Sequence, residues 1–237
     1  TNNFISQKNS KKPFFAFLSF YSVHGPIQTS PALWEKYRKK ATASGLAKER
    51  FKNDRTLPVR QVQDCPIYGG MMESMDNAVG LVTSHLKKLG LDKNTIVIFT
   101  SDNGPAGGMS SGPLRGTKGG KKYEGHMRVP TLAWWPETIP AGSISKEIGV
   151  TTDLLPTLAK LTHSQAPTDR IIDGKDITDI LLGKKAAQSP HQLHYYENEG
   201  IRRGDWKLVK KGSRSELYDL SKDPGEKKDL SGSHPEL

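Results

Sequence analysis

The chain has 237 residues, a formal net charge of +10 and one cysteine. That length can bury a real core, as one large α/β domain or as a core domain with a small appendage, and a single cysteine excludes an internal disulfide. The basic balance favours anionic partners such as sulfates and phosphates, although a solvated basic surface carries the same charge; the lysine pairs are scattered, no nucleic-acid module is recognisable, and the longest apolar run, "FFAFLSF", is too short to span a bilayer.

The opening "TNNFISQKNSKKPFF" reads as the end of a helix feeding a strand. Residues 14–20 are apolar almost throughout, which predicts a strand buried on both faces, as in a parallel sheet. Residues 30–63 are polar and basic and read as a surface excursion, with "SPALWEKYRKK" helical in pattern. Between Tyr68 and Leu89, the residues Met72, Met75, Val79, Val82, Leu86 and Leu89 recur at steps of three and four. They form one stripe of a long helix closed by Gly90. "NTIVIFT" predicts a second buried strand and "VPTLAWW" a third, with a glycine-rich loop between them. "TTDLLPTLAKL" predicts a helix capped by threonine or aspartate, with Leu154, Leu155, Leu158 and Leu161 facing inward. After "LLGKK", short aromatic and β-branched segments separated by turns predict a small antiparallel sheet, followed by a polar tail. The expected division is therefore 1–187 for the α/β part and 188–237 for the β part and tail.

Ligands of open α/β sheets bind at the carboxyl ends of the strands. Asp102 and Asn103 close "TIVIFTSDN", and His24 closes "PFFAFLSFYSVHGP". If those strands lie parallel, both groups reach one rim. A carboxylate beside an amide oxygen suits a hard divalent cation, but two ligands fall short of the six to eight or so that calcium takes, and Asp-Asn-Gly is equally a turn sequence. Seven glycines lie between 104 and 120. They would let backbone approach an anion with Lys118 as a point charge, or they form a flexible surface loop. "GPLRGTKGG" lacks the ending of a P-loop.

In this order, "KPFFAFLSFYSVHGP", "YGGMMESMDNAVGLVTSHLKKLGLDKNTIVIFTSDNG", "LRGTKGGKKYEGHMRVPTLAWWP" and "TTDLLPTLAKL" closely resemble the arylsulfatase-type sulfatases. "IRRGDWKLV" and "ELYDLSKDPGE" resemble that family's C-terminal part, so the likeness covers almost the whole chain. The resemblance implies an alkaline-phosphatase-like fold: a central mixed sheet flanked by helices, with a small C-terminal antiparallel sheet. It implies hydrolysis of sulfate esters, aryl sulfates or sulfated carbohydrates, with a calcium ion rather than magnesium, and a formylglycine made from cysteine or serine. By the same resemblance Asp102 and Asn103 match two calcium ligands and Lys118 a lysine on the sulfate. His24 matches a histidine that contacts the sulfate and assists the leaving oxygen. A periplasmic, secreted or lysosome-like location goes with that family.

The family's nucleophile motif, Cys/Ser-x-Pro-x-Arg, is read as absent, since Cys65 in "QDCPIYGG" does not fit it. The formylglycine and the other two calcium aspartates are expected upstream of Thr1. Residues 1–237 then hold half a calcium site and no covalent catalyst, and are expected to be inactive alone. His126, in "YEGHMR", stands where the family usually has a glycine. Two other readings stay open: a relative that binds sulfated glycans without cleaving them, and a phosphate or phosphonate ester hydrolase of the same fold.

Overall fold

The computed structural model describes residues 1–7, 12–45, 50–54, 57–106, 108–120 and 122–237. They form two compact units, Thr1–Thr95 with Asp102–Arg128, and Ile96–Ser101 with Val129–Leu237.

Among the described residues the first unit holds four α-helices and one pair of strands. Helix α1 (Asn2–Ser6) buries Ile5 and joins Ser6 Oγ to His85 Nε2 at 2.8 Å. Helix α2 (Pro31–Ala43) begins where the sequence suggests, with Ser30 Oγ accepting from Leu33 N and proline in the first turn. A hairpin follows, β1 (Phe51–Asp54) and β2 (Leu57–Arg60), with Phe51 opposite Arg60. Helix α3 (Pro66–Lys88) is the long predicted helix. It stops as Gly90 turns to φ +65° and Leu91 N bonds back to Leu86 O at 2.9 Å. Two glycines explain "YGG": a Cβ on Gly69 would lie 2.7 Å from the Tyr37 ring and one on Gly70 would lie 2.2 Å from Thr29 Oγ1, so α2 and its lead-in pack directly on α3 backbone. Lys36 and Glu73 then pair across the two helices at 2.6 Å. A short helix, α4 (Glu124–Met127), completes the unit.

Residues 14–20 depart from expectation. They form no strand, and Phe15 and Phe17 are 76% and 82% exposed. An inner strand needs a ladder partner on each side, and no described segment pairs with this one. The two-strand parallel rim expected for His24 and Asp102 is therefore not formed among the described residues.

In the second unit β3 (Val97–Thr100) and β4 (Thr131–Trp134) pair antiparallel, from Val97 opposite Trp134 to Thr100 opposite Thr131. Helix α5 (Leu154–Leu161) lies where predicted, but its inner side differs: Leu155 is 52% exposed, while Asp153 and Thr157 are wholly buried. The reason is hydrogen bonding. The Asp153 carboxylate accepts from Val150 N and Lys175 N, each at 2.8 Å, and meets His191 Nε2 at 2.9 Å. Thr157 Oγ1 accepts from Ile177 N at 3.0 Å. The segment running into α6 (Thr178–Leu181) is thus sewn to α5 by buried polar atoms.

The predicted C-terminal sheet is present as a meander of β5 (His194–Tyr196), β6 (Gly200–Arg203), β7 (Trp206–Lys211) and β8 (Arg214–Asp219). Lys207 shares the inward face of β7 with Val209, and both are fully buried. Its ammonium lies 2.8 Å from Glu226 Oε1 and 3.9 Å from the centre of the Tyr196 ring. The polar tail is not a free one: it supplies Glu226, its Leu230 N donates to Leu217 O at 2.8 Å, and Asp229 Oδ1 accepts from Leu217 N at 3.0 Å.

Candidate active site

The turn after β3 carries Asp102, which is exposed, and Asn103, which is half-buried. Asn103 Nδ2 donates to Gly104 O at 2.9 Å, which turns Oδ1, the atom suited to a metal, to the other side of the amide. Lys118 is exposed, and its own amide donates to Pro105 O at 2.9 Å, so the lysine is brought back beside the end of the Asp-Asn-Gly turn.

The glycine-rich loop is a backbone knot, not a flexible loop. Gly104 N donates to His126 O at 2.8 Å and Gly125 N to Arg115 O at 2.7 Å. A Cβ on Gly104 would sit 1.8 Å from Gly125 O, and one on Gly125 would sit 2.2 Å from Gly116 O. Three strands of chain thus touch through main-chain atoms, and only glycine permits it. At Gly104 and Gly125 the missing side chain makes room for backbone. Arg115 closes the knot, with its guanidinium 4.0 Å from the centre of the buried Tyr123 ring.

The excursion at 30–63 reaches this knot. Arg60 N donates to Gly108 O at 2.8 Å, and a Cβ on Gly108 would lie 2.5 Å from Pro58 O. Arg60 and Arg50 both bond Asp64; burial alone would raise that carboxyl, but the two guanidinium hydrogen bonds outweigh it and hold it below its ordinary value.

His24 keeps to itself. It is exposed, its Nδ1 lies 2.9 Å from Gly25 O, and its ring meets that of Tyr21 edge-on at 5.6 Å. The structure therefore brings the backbone of Lys118 back to the turn that carries Asp102 and Asn103, and joins His24 to none of the three by a hydrogen bond. The donor set fits a hard cation in kind, one carboxylate and one amide oxygen, but not in number, and no group of three or more His, Cys, Asp or Glu able to hold a metal occurs among the described residues.

The sequence reading of the nucleophile motif needs correction. Ser111-Gly112-Pro113-Leu114-Arg115 satisfies Ser-x-Pro-x-Arg as a string. Its place is inside the lysine loop, after Asp102, and the Ser111 hydroxyl donates to Gly116 O within the knot. That hydroxyl serves the loop's own structure.

The model of the family described as Sulfatase matches residues 1–164. The chain belongs to the sulfatase family. A second model, "N-sulphoglucosamine sulphohydrolase, C-terminal", matches residues 121–236 of this sulfatase chain. Among curated relatives, the N-acetylgalactosamine-6-sulfatase of Canis lupus familiaris is 32% identical over 203 residues, covering 82% of this chain and 33% of its own length. The steryl-sulfatase of Mus musculus is 34% identical over 211 residues, covering 84% and 29%. The solved structure of Ps i-CgsB in complex with k-i-k-neocarrahexaose superposes with a TM-score of 0.76 at 27% identity, covering 99% of this chain and 49% of that one. The sulfatase chain thus spans about a third of the curated relatives' length and 49% of that solved structure. No helix of the described residues is long and apolar enough to cross a membrane.

Proposed function

We propose that these residues are part of a sulfuric ester hydrolase, with Asp102 and Asn103 as two ligands of a calcium ion and Lys118 and His24 as sulfate-handling groups. The observation that supports the reading is the bond from Lys118 N to Pro105 O, 2.9 Å, which brings the backbone of Lys118 back to the end of the Asp-Asn-Gly turn. Cleaving a sulfate monoester requires negative charge on the transferring group to be neutralised, which the Lys118 ammonium would do. Calcium, when bound, would supply further positive charge to the sulfate oxygens. His24 would give its proton to the departing alkoxide oxygen, a contribution of about 10²–10⁴-fold. The nucleophile would be a formylglycine lying outside residues 1–237, and Ser111 would remain an ordinary serine. Sulfated carbohydrate is the substrate class to test first, in view of the galactosamine-sulfatase relative and the oligosaccharide complex.

The test is an assay of the full-length protein on 4-nitrophenyl sulfate and a sulfated oligosaccharide, beside the matched phosphate ester. Sulfate release should cease on chelation and return with calcium. It should fall by about 10²–10³-fold in Lys118→Ala, the scale for losing one electrostatic contact to the transition state. A clear preference for the phosphate ester, or binding of a sulfated polymer with no release of sulfate, overturns the reading.

A further inference from the structure

His126 makes a side-chain bond within the lysine loop. Residues Thr117 to Gly120 form a turn closed by Gly120 N donating to Thr117 O at 2.8 Å. Gly119, the third residue, has φ +82°, the dihedral of a type II turn at that position, which makes Lys118 the second residue. Types I and II differ by a half-turn of the central peptide, here the one joining Lys118 to Gly119. The amide of that peptide is Gly119 N–H, and it donates to His126 Nδ1 at 3.2 Å. The imidazole therefore holds the one group whose rotation would change the turn type. Because Nδ1 accepts, its proton is assigned to Nε2. The rest of residue 126 is fixed as well: its own N bonds Tyr123 O at 3.1 Å and its carbonyl accepts from Gly104 N at 2.8 Å.

We propose that His126 is a positioning residue for Lys118: by accepting from Gly119 N–H it locks the lysine turn in its type II form and so fixes the direction from which the ammonium meets the sulfate. The proposal rests on the reading of Lys118 as the sulfate lysine. Lys118 is then held on both sides, by Pro105 O at its own amide and by an imidazole at the next. One side chain joins the lysine turn to the segment that also bonds Gly104, next to the proposed metal ligand Asn103. The histidine supplies a lock on the loop, not a group that touches the reacting atoms.

The test uses the full-length enzyme with inorganic sulfate as a competitive inhibitor. His126→Ala should raise KM for the sulfate ester and Ki for sulfate together by about three- to tenfold, the scale of one ordinary hydrogen bond. His126→Asn, whose Oδ1 stands close to the place of Nδ1, should restore both. His126→Gln, whose acceptor lies one bond further out, should not. In a Lys118→Ala background, His126→Ala should have no further effect on Ki, because the lock has nothing left to aim. If His126→Ala fails to fold, the contrast between Asn and Gln decides. A wild-type enzyme that cleaves sulfate esters while Ki is the same in all three variants overturns the inference alone. So does an effect of His126→Ala that persists undiminished without Lys118. A wild-type protein that neither cleaves nor binds sulfate overturns the sulfatase reading and this inference with it.

Discussion

Replacing Gly104 by alanine is a severe test of the knot. The new Cβ would lie 1.8 Å from Gly125 O, where ordinary contact begins at about 3.4 Å. The obstacle is backbone, so the two segments must part by about 1.6 Å, with loss of the bond from Gly104 N to His126 O. Forcing extra volume into packed structure costs about 1–3 kcal/mol and sometimes more. Moving a catalytic group by about 1 Å can cost about 10²-fold in rate. Gly104→Ala should therefore lower the denaturation midpoint of the full-length protein and reduce kcat/KM for a sulfate ester by at least about 10²-fold. Gly80→Ala is the control. Gly80 lies within α3 with nothing near the added methyl, so the change should stabilise by about 0.5–1 kcal/mol and leave turnover alone. Equal midpoints and equal turnover for Gly104→Ala and wild type would show that these segments do not touch.

Two further predictions concern the C-terminal sheet. Lys207→Met should destabilise by about 3–5 kcal/mol in urea unfolding, because it takes the Lys207 ammonium away from the buried Glu226 carboxylate, whereas the double change Lys207→Met, Glu226→Leu should recover most of the loss. A single variant as stable as wild type would refute the pairing. Asp219 is held down to about 2 from an ordinary 3.8, first by the Ser221 hydroxyl at 2.5 Å and then by Lys222. Its folded value is depressed, so its stabilisation is present above the ordinary value and is lost as pH falls through about 2. Asp219→Asn should flatten the stability curve between about pH 4 and pH 2, and an unchanged curve would remove Asp219 from the account.

Helices α2 and α3, strands β3 and β4 and the C-terminal meander were legible because each carries its own cause: a serine cap, a 3.6-residue stripe, a β-branched run, closely spaced turns. Where the sequence misled, the deciding partner lay elsewhere in the chain. Residues 14–20 have the composition of an inner strand, but composition states only that a segment suits burial. It does not name what buries it, and Phe17 is 82% exposed. The leucines of α5 gave the right helix, but Leu155 is exposed and the fully buried positions are Asp153 and Thr157, which hold the backbone of residues 175 and 177, more than 19 positions away. Strands β1 and β2 have little strand propensity, with Pro58 in the second, and are docked by the bond from Arg60 N to Gly108 O.

The site shows the same division. The assignment of Asp102, Asn103 and Lys118 to one chemistry rests on resemblance to a family, and the return of Lys118 to the Asp102 turn is carried by a main-chain bond with no sequence signal. The seven glycines were the visible clue, and they admit two physical explanations, room for an anion or room for another stretch of backbone. The distances favour the second for Gly104, Gly108 and Gly125, where an added Cβ would lie within 3 Å of Gly125 O, Pro58 O and Gly116 O respectively. Gly119 has a positive φ, as Gly108, Gly112 and Gly116 do, and hands its amide to His126. A loop this tightly packed cannot adjust one residue at a time. Changes that keep the backbone contacts and alter only what leans on them, as at His126, are therefore the ones this loop can accept without parting its backbone.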